Sequence, residues 1–171
     1  NHLYRLAADG SAAPTPLTSG RFTVHSFDAA AGTLATTRST INHTPELFVA
    51  DSQRTSVGAK LAADLLPWEK FAVPTTDGSN DIDTWIMRPA DFDESKTYPV
   101  LLNVHGGPFT QYGDYFFDEA QMQAAAGFVV VLGNPRGGSG REEAWGQAVL
   151  GPKHPVRAGS GWGALDVEDV L

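Results

Sequence analysis

The chain has 171 residues, 42% of them hydrophobic and 10% aromatic, enough to bury a core in one domain or in one and part of another. A formal net charge of −8 disfavours a nucleic-acid or anionic-membrane surface, so neither is expected as a partner. With no cysteine there is no disulfide framework, no thiolate zinc site and no cysteine nucleophile.

No apolar run approaches the length of a membrane span and no secretory leader pattern opens the sequence. The first residue is Asn and the opening residues already read as strand, so the expectation is a piece of something longer. A cytoplasmic location is the favoured expectation, and composition alone does not fix it.

Residues 1–66 read as short strands separated by turns. "HLYRLA" runs into Ala8-Asp9-Gly10, and "PTPLT" into Ser19-Gly20. "RFTVHSF" leads to a small-residue turn ending at Gly32, followed by "TLATTRST", Pro45 and "ELFVAD". Alternating strands punctuated by Gly, Asp and Pro are the all-β signature. Leu3-Tyr4 and Leu47-Phe48 echo each other, each in a strand soon followed by Asp. Their offset falls within the period of a four-stranded propeller blade, roughly 40 to 45 residues.

From Pro67 the pattern changes. "WEKFAVPT" and "DIDTWIMRP", joined by Thr76-Asp77-Gly78, predict an antiparallel pair. "YPVLLNV" is a continuous apolar run, as a strand buried on both faces should be. Phe117, Ala120, Ala124 and Ala125 then recur at helical spacing and predict a helix over 114–126, capped by Gly127. "FVVVL" is the next buried strand, and strand, helix, strand at this spacing predicts a βαβ unit with a mainly parallel sheet. "EEAWGQAV" predicts a short helix and "ALDVEDVL" the start of another.

Ligands of such sheets sit beyond the carboxyl ends of the strands. Two glycine-rich stretches lie there: His105-Gly106-Gly107-Pro108 and Gly133-Asn134-Pro135-Arg136-Gly137-Gly138-Ser139-Gly140. The first reads either as a plain turn or as a loop whose backbone N–H groups can approach a substrate.

The stretch "YPVLLNVHGGPFTQYGDYFFDEAQMQAAAGFVVVLGNPRGGSG", preceded by propeller-like strands, resembles the prolyl oligopeptidase family of serine peptidases. HGGP with the following N-P-R-G stretch is most similar to its acylaminoacyl-peptidase and dipeptidyl-aminopeptidase branch. The resemblance implies that residues 1–66 are the C-terminal part of a β-propeller. It further implies that 67–171 are the N-terminal part of an α/β-hydrolase catalytic domain, with a mixed, mainly parallel sheet, truncated before the nucleophile elbow. It also implies that the Gly107 N–H is an oxyanion donor, with His105 and Gly106 in the oxyanion loop and Pro108 beside it. Losing such a donor raises a barrier by about 3 to 4 kcal/mol in known cases. Family members with strict proline specificity use a Tyr hydroxyl for the oxyanion, whereas this sequence has His105 in that loop. The implied activity is hydrolysis of short peptides with no cofactor. The implied partners are a peptide substrate and the remainder of the parent chain, with homo-oligomers open. An esterase or lipase with a similar loop, and a non-catalytic binding piece, are the competing readings.

No catalytic triad is assigned. The elbow pattern is G-x-S-x-G; Ser139 is followed by Gly140-Arg141 and Ser160 is preceded by Ala158-Gly159, so both fail it and read as turn residues. In such hydrolases Ser, Asp or Glu, and His follow in that order, all beyond the strands seen here. His2, His25, His43, His105 and His154 show no metal-ligand spacing. Glu142-Glu143 read as a solvated face.

Arg136 lies at the end of the second buried strand among glycines that need an ordered partner. Its planar fork of donors suits a carboxylate. Asp169 is the expected partner, since it shares a helical face with Leu165, and a solvent-exposed Arg is the alternative.

Overall fold

The computed structural model describes residues 1–171, the side chain of Ala63 excepted. The chain divides into two compact units, Asn1–Pro67 with Gly113–Asp118, and Trp68–Tyr112 with Glu119–Leu171.

In the first unit β1 (Tyr4–Arg5) pairs antiparallel with β2 (Thr15–Pro16). β3 (Thr23–Ala30), β4 (Thr33–Thr40), β5 (His43–Val49) and β6 (Ser52–Gln53) then form a four-stranded antiparallel sheet in chain order. The echoed pairs Leu3-Tyr4 and Leu47-Phe48 thus belong to different sheets. Two-residue turns join these strands. Ala31 and Gly32 take φ of 48° and 77°, Ala50 and Asp51 45° and 65°, the left-handed conformations that match strand twist in a tight hairpin.

Pro45 lies inside β5 rather than ahead of it, at a register shift opposite Arg38 and Thr40. A bulge removes the need for the N–H that proline lacks. A second bulge falls at His25 in β3. The buried Arg38 guanidinium lies between the rings of Phe22 and Phe48, 4.8 and 4.9 Å from their centroids, and donates to Asp51 Oδ1 at 2.6 Å.

The second unit holds β7 (Trp68–Pro74), β8 (Asp81–Met87), β9 (Val100–Val104) and β10 (Val129–Gly133) in the order β7-β8-β10-β9. β9 and β10 are adjacent and parallel, as the βαβ reading requires. The expected mainly parallel sheet is corrected, because the sheet is mostly antiparallel. A short turn makes β7 and β8 a hairpin, and β8 then sits between β7 and β10, antiparallel to both.

Two further expectations change. The helix α1 spans Asp118–Ala125 rather than 114–126. Residues 113–118 are engaged in the first unit instead, where the Phe116 N–H donates to Ser39 Oγ and Arg21 meets Asp114. β9 is not buried on both faces: Val100, Leu102 and Val104 are exposed, while Asn103 on the other face bonds Gln123 of α1. Edge position and a single covering helix account for this. α2 (Glu143–Gln147) and α3 (Leu165–Glu168) are both short.

Trp85 and Met87 of β8 are buried on the same face as Val130 and Leu132 of β10, while Ile82 and Thr84 are buried on the other face. Ala120 and Ala124 are the buried residues of α1. Gly127 follows α1 with φ of 96° and closes it as a C-terminal cap.

The chain's two methionines give an internal control, Met87 being fully buried and Met122 65% exposed. Met87→Ala should destabilise by about 2 to 5 kcal/mol through lost burial and a residual cavity. Met122→Ala should stay within about 0.5 kcal/mol. Urea denaturation midpoints of the two variants against the wild type test this directly.

Candidate active-site loop

Parallel pairing sets Val104 opposite Gly133, so the chain leaves both strands on the same side of the sheet. The two glycine-rich stretches therefore start as neighbours. The buried Asn134 fixes one to the other: its Oδ1 accepts the Tyr112 N–H at 2.8 Å and its Nδ2 donates to the Tyr112 carbonyl at 2.9 Å. The Ser139 N–H adds a bond to the Thr110 carbonyl at 2.9 Å.

His105 turns inward from the end of β9. Its ring meets Tyr112 edge-on at 5.4 Å, and Nδ1 donates to the Gly106 carbonyl at 3.1 Å. Nε2 is buried with no hydrogen-bond partner among the described residues. It lies 3.3 Å from where a Cβ on Gly138 would be, a tight approach of the two glycine-rich stretches.

Gly107 has φ of 140°, and a Cβ there would stand 2.9 Å from the Phe109 nitrogen. Only glycine fits. The Gly107–Pro108 peptide is cis. Gly106 and Gly107 are both exposed, and among the described residues neither N–H has a protein acceptor. Two unengaged donors beyond a strand end are what a developing negative oxygen requires. A cleft of about 190 Å³ borders the loop, lined by His105, Pro108, Gly138 and Val167 among others. A larger cleft, about 340 Å³, opens near Trp145 and Arg157, away from these donors.

Arg136 is buried and forked onto Asp169. Nε lies 2.9 and 3.1 Å from the two carboxylate oxygens and Nη2 lies 2.6 Å from Oδ1, while the Arg136 backbone N–H donates to Oδ2 at 2.9 Å. Nη1 reaches a second acid, Asp77, at 2.7 Å. Sequence reasoning read Asp77 only as a turn residue. Its carboxyl accepts from Thr75 Oγ1, then from the Ser79 N–H and hydroxyl, and these bonds with Arg136 hold it far below the ordinary carboxylate range. Neighbouring Gly137, with φ of 97°, would drive a Cβ to 2.6 Å from Val149, which ties the loop to the α2 segment.

The serines singled out by sequence serve turns. Ser139 Oγ donates to Gln111 Oε1 at 3.4 Å and Ser160 Oγ to the Ala148 carbonyl at 2.9 Å. One serine–histidine contact escaped the sequence reading: His25 Nε2 lies 2.6 Å from Ser39 Oγ in the first unit. Ser39 is buried within a strand and its oxygen also accepts the Phe116 N–H, so the pair satisfies a buried hydroxyl.

Removing the Asp169 carboxylate would leave a buried guanidinium underpaired. Asp169→Ala should cost about 3 to 5 kcal/mol, read as a loss in denaturation free energy. Asp77 behaves differently because its folded pKa is depressed. Its contribution is complete above the ordinary carboxylate value of about 4 and is lost as pH falls below it. The melting-temperature gap between wild type and Asp77→Asn should be flat from pH 8 to about 5 and shrink below about 4. A gap that widened on acidification would contradict the assignment.

No protein-family model matches the chain. It is 39% identical over 103 residues to the "Uncharacterized peptidase YuxL" of Bacillus subtilis, covering 60% of this chain and 14% of that protein. Over 162 residues, 88% of its length, it is 28% identical to the dipeptidyl-peptidase 5 of Porphyromonas endodontalis and spans 23% of it. Among solved structures, an acylaminoacyl peptidase of Pyrococcus horikoshii superimposes with a TM-score of 0.76 at 26% identity, over 92% of this chain and 24% of that one. Dipeptidyl peptidase 4 of Porphyromonas gingivalis gives 0.66 at 26% identity, over 84% and 22%. The chain thus spans less than a quarter of the length of these relatives. Over that stretch it is similar in sequence and in fold to these proteins, peptidases of the prolyl oligopeptidase family.

Proposed function

We propose that the chain is the junction of a serine peptidase acting on short peptides, joining the end of a propeller to the start of the catalytic domain. On this reading the β3–β6 meander is a propeller blade within residues 1–66. The sheet β7–β10 with its helices opens an α/β-hydrolase domain from residue 67. The relatives named as dipeptidyl and acylaminoacyl peptidases support a peptide substrate over an ester. The observation that carries the reading is the Gly107 N–H: without a protein acceptor among the described residues, at the carboxyl end of β9, in a conformation only glycine adopts.

The chemistry follows from that donor. A serine attacks the peptide carbonyl, a histidine takes its proton and returns it to the leaving amine, and the Gly107 N–H donates to the tetrahedral oxyanion. The serine, histidine and orienting acid come from the remainder of the parent chain. His105 shapes the loop rather than acting as base, because its Nε2 is buried and bonds no serine hydroxyl among the described residues.

The full-length parent should label with a fluorophosphonate at a serine beyond residue 171 and hydrolyse peptide nitroanilides, whereas the 171-residue chain should do neither. Gly107→Ala in the parent should lower kcat about a hundredfold or more. Nitroanilide hydrolysis by the 171-residue chain, abolished by Ser139→Ala or Ser160→Ala, would place the nucleophile here and overturn the reading.

A further inference from the structure

The geometry points to Asn134 as the positioning residue of the oxyanion loop, acting through the backbone of Tyr112; the inference rests on the reading of Gly107 as oxyanion donor. The loop has little means of holding itself. Gly106 and Gly107 carry no side chains, Pro108 has no N–H, and the Thr110 N–H donates to the Pro108 carbonyl at 2.7 Å. Glycine-rich backbone loses the most entropy on ordering, so placement of Gly107 must be imposed from outside the loop.

Asn134 is built for that task. Its own N–H donates to the Asp83 carbonyl at 3.0 Å, which registers it against β8, and its side chain is buried. From this fixed point the carboxamide closes a two-bond ring on Tyr112, accepting its N–H and donating to its carbonyl. Only a carboxamide offers a neutral donor and acceptor in that geometry; a carboxylate accepts only and an alanine does neither. Tyr112 is itself buried, so both of its backbone groups need partners. The anchor lies five residues after Gly107, close enough that its release changes where the N–H points without unfolding the sheet.

The test uses the full-length peptidase with Asn134→Ala, Asn134→Asp and Gly107→Ala. Measured are kcat and KM on a peptide nitroanilide per active site, Ki for a peptide aldehyde that forms a tetrahedral adduct with the serine, and the melting temperature. A mispositioned donor weakens transition-state stabilisation and leaves ground-state binding alone. Both Asn134 variants should therefore lose about tenfold to a hundredfold in kcat, with KM within about twofold. The aldehyde Ki should weaken by the same factor. A purely structural Asn134 would lower the melting temperature and the yield of active sites while kcat and Ki per site stayed at wild-type values, and that result overturns the inference. A rise in KM at constant kcat overturns it too. If Asn134→Ala does not fold, the isosteric Asn134→Asp decides. Should Gly107→Ala keep full kcat, the oxyanion reading itself fails; should Gly107→Ala lose activity while both Asn134 variants keep it, only the Asn134 assignment falls.

Discussion

Parallel pairing between β9 and β10 is the constraint on which the candidate site depends. In a sheet that is otherwise antiparallel, this one ladder sends two consecutive strand ends out on the same side. The HGGP loop and the N-P-R-G stretch then begin as neighbours and need only short-range bonds to be joined. Had β10 paired antiparallel with β9, Asn134 and His105 would leave at opposite ends of the sheet, and no choice of side chains could bring them together.

Given that placement, the residues at the end of β10 divide the work. Asn134 engages the loop after β9, while Arg136, two positions on, engages Asp169 at the end of α3 and Asp77 in the β7–β8 turn. A planar guanidinium with five donors can grip one carboxylate as a fork and still reach a second, which an ammonium cannot, and the residue's backbone N–H adds a bond to the first. The first unit uses the same device on a smaller scale. There Arg38, held between two phenylalanine rings, donates to Asp51 and so steadies a turn whose residues stand at positive φ. In both places a buried cation fixes irregular backbone.

Much of this was legible in the sequence, and the gaps have physical causes. The strands were readable because their apolar content sits between Gly, Asp and Pro punctuation, and the β9–β10 pair because a helix-length segment lies between two apolar runs. Arg136 with Asp169 followed from the fork geometry of Arg and from the face that Leu165 shares with Asp169. Asp77 could not be found the same way, because its approach to Arg136 depends on the hairpin turn folding back to the far end of β10. The start of α1 was misplaced because helical spacing cannot reveal that residues 113–118 are engaged elsewhere. Burial of β9 was overestimated because an apolar run does not say whether a strand lies at an edge. Asn134 stood inside a stretch already marked as interesting, yet its role requires knowing that Tyr112 passes beside it. The contact of His25 with Ser39 was hidden by the bulge that shifts β3 against β4.

The Asn134 ring on Tyr112 also has a consequence in time. Its two bonds share one side chain, and the Ser139 N–H bond to Thr110 closes the same loop two residues earlier. Loss of the Asn134 carboxamide from Tyr112 therefore breaks both bonds at once, so exchange of the Tyr112 amide proton reports on the seating of the loop.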